Sequence, residues 1–395
     1  MTAVRWVRAL AAITVIFAFA ASAAAEPALR GTGDLGVIVE RASGRVQIIE
    51  TSGATKLAEV AGLGDLSHAS VVFSRDGRFA YVFGRDGGLS KLDLLEGRLD
   101  KRIMQGGNAI GGAISQDGTL IAVSNYEPGG IKVFDAETLD LVADIPAQGA
   151  GGSSKTVGLV DLPGQSFVYA LYDAGEIWLA DLSERDRPVL RKFPGIGKLP
   201  YDGFAVERGR YYVVGLFGED GLALLDLWNP DGGVRRILDG YGKGEEALPV
   251  YKMPHLEGVA AAGGLVFLPA VGRHELLVAD ARTWREVARI PTLGQPVFAV
   301  ARPDGRQVWV NFAHPDNAMV QVVDVSSLAV VHTFSPGKAV MHLEFTPKGE
   351  AVWISARDDD AVRIFDSRTF RRIKELPAEK PSGIFFTARA HRIGY

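Results

Sequence analysis

Three of the seven histidines in this chain share one sequence context, in which a loop runs into an apolar strand. They are His68 in HASVVF, His255 in HLEGVA and His342 in HLEFTP. A neutral imidazole can ligate iron, and histidine titrates near neutral pH, so these side chains suit metal ligation or proton transfer. A single histidine at such a place is most often an ordinary hydrogen-bonding group. Their value as candidates depends on whether the fold brings them together.

Four basic residues and a tyrosine lie in loops beside comparable strands. They are Arg85, Tyr126, Lys155, Arg273 and Arg357. Arginine and lysine bind carboxylates, arginine through two parallel hydrogen bonds. Several cations and histidines around one opening would suit a large, flat, anionic ligand. The simpler interpretations are local: Arg85 and Asp86 can form a surface salt bridge of little energetic value, and Tyr126 can cover its own strand.

An internal repeat indicates the elements that position these residues. Each repeat consists of an apolar strand, a glycine turn, an alternating strand, a loop, a strand that ends at aspartate, a turn and a last strand. Four clear copies span residues 68–99, 111–142, 298–331 and 342–373. The aspartates recur every 42 to 54 residues, at Asp93, Asp135, Asp181, Asp226, Asp280, Asp324 and Asp366.

Four short antiparallel strands at this period are typical of a β-propeller blade. Seven aspartates mark seven blades, and residues 36–60 supply a partial eighth in which Glu50 replaces the aspartate. An open ring would expose strand edges, so we predict that residues 383–389, GIFFTAR, complete the partial blade. The predicted fold is all-β: one eight-bladed β-propeller of four-stranded antiparallel blades over residues 26–395. A seven-bladed ring is the alternative.

The repeat also places the candidate residues at one end of the ring. In each blade the glycine turn joins the first two strands on one rim. The start of the first strand and the loop between the second and third strands therefore lie on the other rim. His68 and Arg85 share that rim, and the first strands line the central channel. Further polar residues at this mouth are Asn108, Lys155, Tyr201, Asp202 and Glu257.

The composition and the N-terminus favour an exported globular protein. Of 395 residues, 47% are hydrophobic and 23% charged. Residues 1–25 combine a basic start, an apolar run and a stretch of small residues, which predicts a secretory signal peptide cut after Ala25 and a soluble periplasmic protein. The apolar run is shorter than the roughly 20 residues of a membrane span, so no transmembrane segment is expected.

Charge and cysteine content exclude several classes of function. The net charge of −4 disfavours nucleic-acid binding. The chain contains no cysteine, which rules out disulfides, thiolate metal ligands and covalently attached c-type haem. The histidine spacing does not match a zinc site, and the glycine-rich stretches precede no helix that would make a phosphate loop.

Several stretches resemble the haem d1 propeller of cytochrome cd1 nitrite reductase, over nearly all of residues 30–395. HASVVFSRDGRFAYVFGRDGGLSKLDL is similar to the segment with the proximal haem ligand, and His68 falls on that histidine. KMPHLEGVAAAGG resembles a blade with a distal histidine, on which His255 falls. SNYEPGGIKVFD resembles a loop whose tyrosine contacts haem, which corresponds to Tyr126. The C-terminal SGIFFTARAHRIGY resembles the closing strand.

The chain also departs from the reductase. GQPVF, around Gln295–Phe298, stands where a second distal histidine would be, Val71 replaces an arginine, and the cytochrome c domain is missing. These departures imply that the protein does not reduce nitrite. As a whole, and most clearly in GDLSHASVVFSRDGRFAYVFGRDGG, the chain is similar to the NirF family, the secreted propellers required to make haem d1.

Membership of that family implies non-covalent binding of haem d1 or a late tetrapyrrole precursor during maturation of cytochrome cd1 nitrite reductase. It also implies a dehydrogenation or another modification of a side chain or of the ring. His68 is then expected as the axial iron ligand, and His255 as a distal ligand or proton donor and acceptor oriented by Glu257. The remaining expected binding residues are Arg85, Tyr126, Lys155, Arg273, His342 and Arg357. Expected protein partners are the reductase and other periplasmic maturation proteins.

Two other functions are compatible with the same propeller. One is a non-catalytic haem d1 carrier, and the other is an interaction propeller that docks maturation partners. A quinoprotein dehydrogenase is disfavoured, because that eight-bladed class needs regularly spaced tryptophan motifs, which the six tryptophans here do not form.

Overall fold

The computed structural model describes residues 30–149, 152–206, 209–242 and 258–392. The predicted signal peptide, His255 and Glu257 lie outside the described residues. The unit that carries the repeats begins at Thr32. Within the described ranges, no helix is long and apolar enough to cross a membrane.

Eight four-stranded antiparallel sheets follow one another along the described chain and form an eight-bladed β-propeller, as predicted. Blades 1 to 4 consist of β1 Leu35–Glu40, β2 Arg45–Glu50, β3 Thr55–Val60 and the C-terminal β34 Pro381–Phe386; β4 Ser70–Phe73, β5 Phe79–Phe83, β6 Gly88–Asp93 and β7 Arg98–Met104; β8 Asn108–Ile114, β9 Leu120–Glu127, β10 Ile131–Asp135 and β11 Leu141–Ile145; β14 Thr156–Leu162, β15 Ser166–Leu171, β16 Glu176–Asp181 and β17 Val189–Phe193. A short hairpin, β12 Gln148–Gly149 and β13 Gly152–Ser153, precedes blade 4.

The second half of the ring repeats this arrangement. Blades 5 to 8 consist of β18 Pro200–Val206, β19 Tyr211–Leu216, β20 Leu222–Asp226 and β21 Val234–Ile237; β22 Ala260–Ala262, β23 Leu265–Ala270, β24 Glu275–Asp280 and β25 Glu286–Pro291; β26 Pro296–Ala301, β27 Gln307–Phe312, β28 Val320–Asp324 and β29 Ala329–Phe334; β30 Val340–Phe345, β31 Ala351–Ala356, β32 Ala361–Asp366 and β33 Arg372–Pro377. Short 3₁₀ segments occur at Pro230–Gly232, Val271–Arg273, Arg357–Asp359 and Thr387–His391.

In blades 2 to 8 the third strand ends at an aspartate whose side chain accepts hydrogen bonds from the following turn. The Oδ1 atom of Asp93 accepts from the backbone N–H groups of Leu95 and Glu96. The same contacts recur at Asp135 and Asp366. Aspartate suits this place because its short side chain bonds readily to the backbone two or three residues later. The aspartate repeat in the sequence therefore reports the turn between the third and fourth strands.

Hydrophobic side chains fill the spaces between adjacent blades. On the inner strand β4, Val71 and Phe73 belong to a buried cluster shared with blade 1, whereas Val72 belongs to one shared with blade 3. Successive side chains of a strand point to opposite faces, so a strand buried between two neighbours is apolar throughout. The first strands of neighbouring blades contact one another, as β4 does with β8 and β14 with β18.

The C-terminal strand closes the ring by pairing with β1 in blade 1, as the sequence predicts. Gly36 lies opposite Phe386, and a Cβ atom at Gly36 would stand 2.6 Å from the Phe386 ring. The strand ends earlier than the predicted 383–389. Thr387 begins a 3₁₀ segment because its hydroxyl donates to the carbonyl of Leu35 at 3.0 Å and to that of Thr32 at 2.6 Å.

The rim opposite the mouth is braced by Arg75, in the turn between β4 and β5. Its guanidinium donates to the carbonyl oxygens of Ile114, at 2.9 Å, and Ser115, at 2.6 Å, and also to that of Ala390. It lies 3.6 Å from the buried carboxylate of Asp161. One side chain thereby joins blade 2, blade 3, blade 4 and the C-terminal segment.

Candidate functional site

His68 lies half-buried in the loop that leads from blade 1 into β4, and its Nδ1 atom is shielded from solvent. Asp65 ties this loop to the turn that follows β5, because its carbonyl accepts from the backbone N–H of Arg85 at 2.8 Å. Hydrogen bonds from Ser67 lower the pKa of Asp65, so the carboxylate stays ionised in the loop. The loop of His68 and the turn of Arg85 therefore stand together on one rim.

Arg85 faces an aromatic ring. Its guanidinium carbon lies 5.7 Å from the ring centroid of Tyr126, at the end of β9 in blade 3. The local alternative, a salt bridge with Asp86, does not form, because that carboxylate binds Arg102 at 2.7 Å. A cation over a tyrosine ring is attracted by the ring's negative face.

Tyr126 of blade 3 contacts a residue of blade 5, two blades further along the ring. Its hydroxyl lies 2.7 Å from the hydroxyl of Tyr201, at the start of blade 5. Blade 4 lies between these two blades, so the contact stands above the start of its inner strand. Tyr172, from the loop after β15 in blade 4, packs edge-on against Tyr201 with ring centroids 5.9 Å apart. Burial raises the pKa of Tyr126 and of Tyr172, so both hydroxyls are protonated at neutral pH.

Lys155, which directly precedes the inner strand of blade 4, is the last member of this series of contacts. Its ammonium lies 5.2 Å from the ring centroid of Tyr172 and 3.2 Å from the carboxylate of Asp173. We define the tyrosine rim as the set Arg85, Tyr126, Tyr201, Tyr172 and Lys155. Its contacts run from Arg85 of blade 2 through Tyr126 of blade 3 to Tyr201 of blade 5, and return to Tyr172 and Lys155 of blade 4. The series of contacts therefore has a cation at each end and three aromatic rings between them.

The structure keeps the other two predicted cations apart from the tyrosine rim. Arg273 ends a 3₁₀ segment in blade 6 and binds the carboxylate of Asp220 at 2.8 Å. Arg357 begins a 3₁₀ segment in blade 8 and binds Asp358 at 2.9 Å. A ligand carboxylate at either arginine would have to share the guanidinium with the protein's own acid, just as it would share the ammonium of Lys155 with Asp173.

His342 lies in β30, beside the seam that closes the ring. Its Nδ1 atom accepts a hydrogen bond from the backbone N–H of Ile384 at 3.2 Å, and its ring lies 5.4 Å from that of Phe385. Burial, together with the positive charge of Arg389, lowers the pKa of His342 to about 3. The imidazole is therefore neutral at physiological pH, with Nδ1 already used inside the protein.

Sequence reasoning missed Tyr172 and Asp173 as part of this surface. The signal that could have found them is positional, because YDAG at 172–175 follows a second strand just as Arg85 does. Tyr201 was expected at the mouth, but its bond to Tyr126 across blade 4 was not. In the part of the chain that the structure describes, no three His, Asp or Glu side chains lie close enough together to hold a metal ion.

Comparison with known proteins identifies the family. The model of the family described as the cytochrome D1 heme domain matches residues 30–390. Protein NirF of Stutzerimonas stutzeri is 59% identical over 376 residues, 94% of this chain and 96% of the relative. Protein NirF of Pseudomonas aeruginosa is 60% identical over 372 residues, 93% and 95% of the two chains. The chain belongs to the cytochrome D1 heme domain family, among the NirF proteins.

A solved structure extends the comparison. Dihydro-heme d1 dehydrogenase NirN, in complex with the ligand abbreviated DHE, superposes with a TM-score of 0.80 and is 26% identical. The match covers 93% of this chain and 78% of that one. The family and the fold expected from the sequence are both confirmed.

Proposed function

We propose that this protein acts in haem d1 biosynthesis by binding haem d1, or a late tetrapyrrole precursor, at the mouth of the propeller. The observation that carries the proposal is the tyrosine rim. Aromatic rings and cations on one rim suit a flat macrocycle with carboxylate side chains, through stacking and charge-assisted hydrogen bonds. Membership of the cytochrome D1 heme domain family supports the same ligand class.

Within this proposal, His68 is the axial ligand of the iron. It stands at the start of an inner strand on the rim of Arg85 and Tyr126, and a neutral imidazole is an ordinary ligand of haem iron. Arg85 and Lys155 bind carboxylates at opposite ends of the tyrosine rim, and Arg273, Arg357 and His342 are secondary binding candidates. His342 can offer only Nε2, since Nδ1 is bonded to the backbone of Ile384.

The proposal extends to a modification of the bound ring. The structural relative is named a dihydro-heme d1 dehydrogenase, which supports a dehydrogenation here too. Such a step removes two electrons and two protons from the ring, with the electrons passing to a separate one- or two-electron acceptor such as a quinone. His255 and Glu257 are the proposed proton-accepting pair, outside the described residues. The alternative is a carrier that delivers the ring unchanged to the reductase or another maturation protein.

Spectroscopic titration tests the binding proposal. Haem d1 added to the purified protein should give a saturable absorbance shift, and His68→Ala should abolish the spectrum of the histidine-ligated iron. His332→Ala is the matched control. His332 lies on the outer strand β29, where its ring stacks on that of Phe370. The absence of any saturable shift would refute binding, and an unchanged spectrum in His68→Ala would refute iron ligation. Mass analysis of a precursor incubated with protein and a quinone then distinguishes an enzyme from a carrier.

We also propose that residues 1–25 are removed on export to the periplasm. The motivating observation is the basic start and apolar run of that segment. The intact mass of protein from the periplasmic fraction should correspond to a chain that begins at Glu26. A mass that includes Met1–Ala25 would refute the cleavage.

A further inference from the structure

Three neutral polar side chains at the mouth have a buried oxygen with no hydrogen-bond partner among the described residues. The atoms are Ser70 Oγ, Asn108 Oδ1 and Gln295 Oε1. Ser70 and Asn108 are the first residues of the inner strands β4 and β8, and Gln295 immediately precedes the inner strand β26. All three therefore belong to the mouth ends of strands that line the channel.

Leaving such atoms unpaired is costly, so their common position at the mouth ends of inner strands, Ser70 and Asn108 in neighbouring blades 2 and 3 and Gln295 in blade 7, indicates a ligand at the mouth. Buried polar groups are nearly always hydrogen-bonded, and the exceptions in native proteins concentrate at functional sites or hold ordered water. Gln295 is only 8% exposed. By contrast, Gln105 and Asn125, close by in blade 3, satisfy each other through two hydrogen bonds of 2.9 and 3.2 Å.

Open space adjoins one of these atoms. A Cβ atom built on Gly111, in β8, would lie 3.1 Å from Ser70 Oγ, with no other described heavy atom within 4 Å. Gly111 does not adopt a positive φ, so its backbone does not require glycine. The missing side chain therefore leaves room beside Ser70 Oγ on the side of β8, the strand that begins at Asn108.

We propose that Ser70, Asn108 and Gln295 form a neutral subsite that hydrogen-bonds oxygen-bearing substituents, keto or carboxyl groups, on the edge of the bound tetrapyrrole. The inference rests on the proposed function. A serine hydroxyl and the two amides can each donate as well as accept, so they match such oxygens. The tyrosine rim supplies charge and stacking that any anionic haem would use. The subsite supplies selectivity, because a ring without these substituents leaves its groups unpaired.

The test compares haem d1 with protohaem, whose edge carries fewer oxygens, on four variants. Ser70→Ala, Asn108→Leu and Gln295→Met should each reduce the preference for haem d1 over protohaem by roughly tenfold. Gly111→Ala should do the same by placing a methyl group 3.1 Å from Ser70 Oγ and crowding it. The ligand-free Ser70→Ala, Asn108→Leu and Gln295→Met variants should melt at or above the wild-type temperature, because each of these replacements removes an unpaired buried group.

Gln105→Met is the matched control. It should lower the melting temperature, because the buried Oδ1 of Asn125 loses the donor Nε2 of Gln105, and it should leave the preference unchanged. Unchanged preference in all four mouth variants would overturn the subsite while leaving tetrapyrrole binding intact. Lower melting temperatures with unchanged preference would assign the three residues to the scaffold and overturn it as well. A wild-type protein that binds neither haem would instead defeat the proposed function, and the subsite with it.

Discussion

The hydroxyl groups of Tyr126 and Tyr201 lie 2.7 Å apart, although the two residues belong to blades 3 and 5. Tyr126 therefore reaches past the blade between them, over the start of the inner strand of blade 4. Tyr172 of that blade packs edge-on against Tyr201 and connects the pair to Lys155. The relationship turns separate loop residues into one continuous surface over the channel.

Removing either hydroxyl should weaken ligand binding without unfolding the protein. Tyr126→Phe and Tyr201→Phe each delete one hydrogen bond and keep the ring, so we expect haem d1 affinity to fall about fivefold to tenfold. Tyr81→Phe is the control, because its hydroxyl donates to the carbonyl of Ala136 at 2.7 Å, towards the opposite rim. Absorbance titrations measure the affinities. Equal affinities for Tyr126→Phe and Tyr81→Phe would contradict a role for the tyrosine pair.

The two cations of the tyrosine rim should act through ligand carboxylates. Arg85→Gln and Lys155→Gln should each weaken haem d1 binding roughly tenfold and reduce its dependence on salt, because a charge-assisted contact is lost. Arg98→Gln is the control, because Arg98 lies on the outer strand of blade 2 and binds Glu96. It should change neither the haem d1 affinity nor its dependence on salt. Titrations at low and high salt provide the measurement. If the haem d1 affinity of the Arg85 and Lys155 variants depends on salt as strongly as that of wild type, the two cations do not bind the ligand.

His342 should make stability depend on pH in a defined window. Its pKa is about 3 in the folded protein and near 6.5 in an unfolded chain. Between these values the unfolded state binds more protons, so the contribution of His342 is fully present above pH 6.5 and is lost as the pH falls towards 3. The free energy of unfolding should fall on acidification by up to about 1.4 kcal/mol per pH unit from this group.

His342→Gln isolates that contribution, because glutamine keeps a hydrogen-bond acceptor for the N–H of Ile384 and does not titrate. Urea unfolding from neutral pH down to about pH 4 should give a shallower pH dependence for the variant than for wild type. Parallel profiles would mean that His342 is not held neutral by burial.

Much of the architecture could be predicted because it follows from local chemistry that repeats. The aspartates at the ends of third strands mark turns that their own side chains stabilise, so seven blades are readable from spacing alone. The eighth blade follows from the need to pair the edges of β1, and β34 does so. The end of β34 was less predictable, because the hydroxyl of Thr387 redirects the backbone by bonding to Thr32 and Leu35.

The candidate site was predictable to the level of the rim but not of its contacts. Antiparallel connection fixes which loops share an end, so Arg85 and Tyr126 could be assigned to the mouth. Which carboxylate each cation meets depends on side-chain directions in loops of different blades. Arg273 thus pairs with Asp220 of blade 5, and Asp86 pairs with Arg102 rather than with Arg85. His342 has a role in the closing seam that its position in the repeat does not reveal.

The brace on the opposite rim should govern stability separately from binding. Arg75→Met removes the cation that lies 3.6 Å from the buried carboxylate of Asp161 and the guanidinium that donates to three carbonyl groups. Removing one partner of a buried pair is strongly destabilising, so we expect a loss of about 3 kcal/mol in the free energy of unfolding. The control Arg187→Met removes the exposed ion pair with Glu184 and should change the free energy of unfolding by less than about 0.5 kcal/mol.

Urea unfolding measures the free energy of unfolding of both variants. Titration should show wild-type haem d1 affinity in each folded variant. Equal stabilities for the two variants would show that Arg75 does not brace the ring.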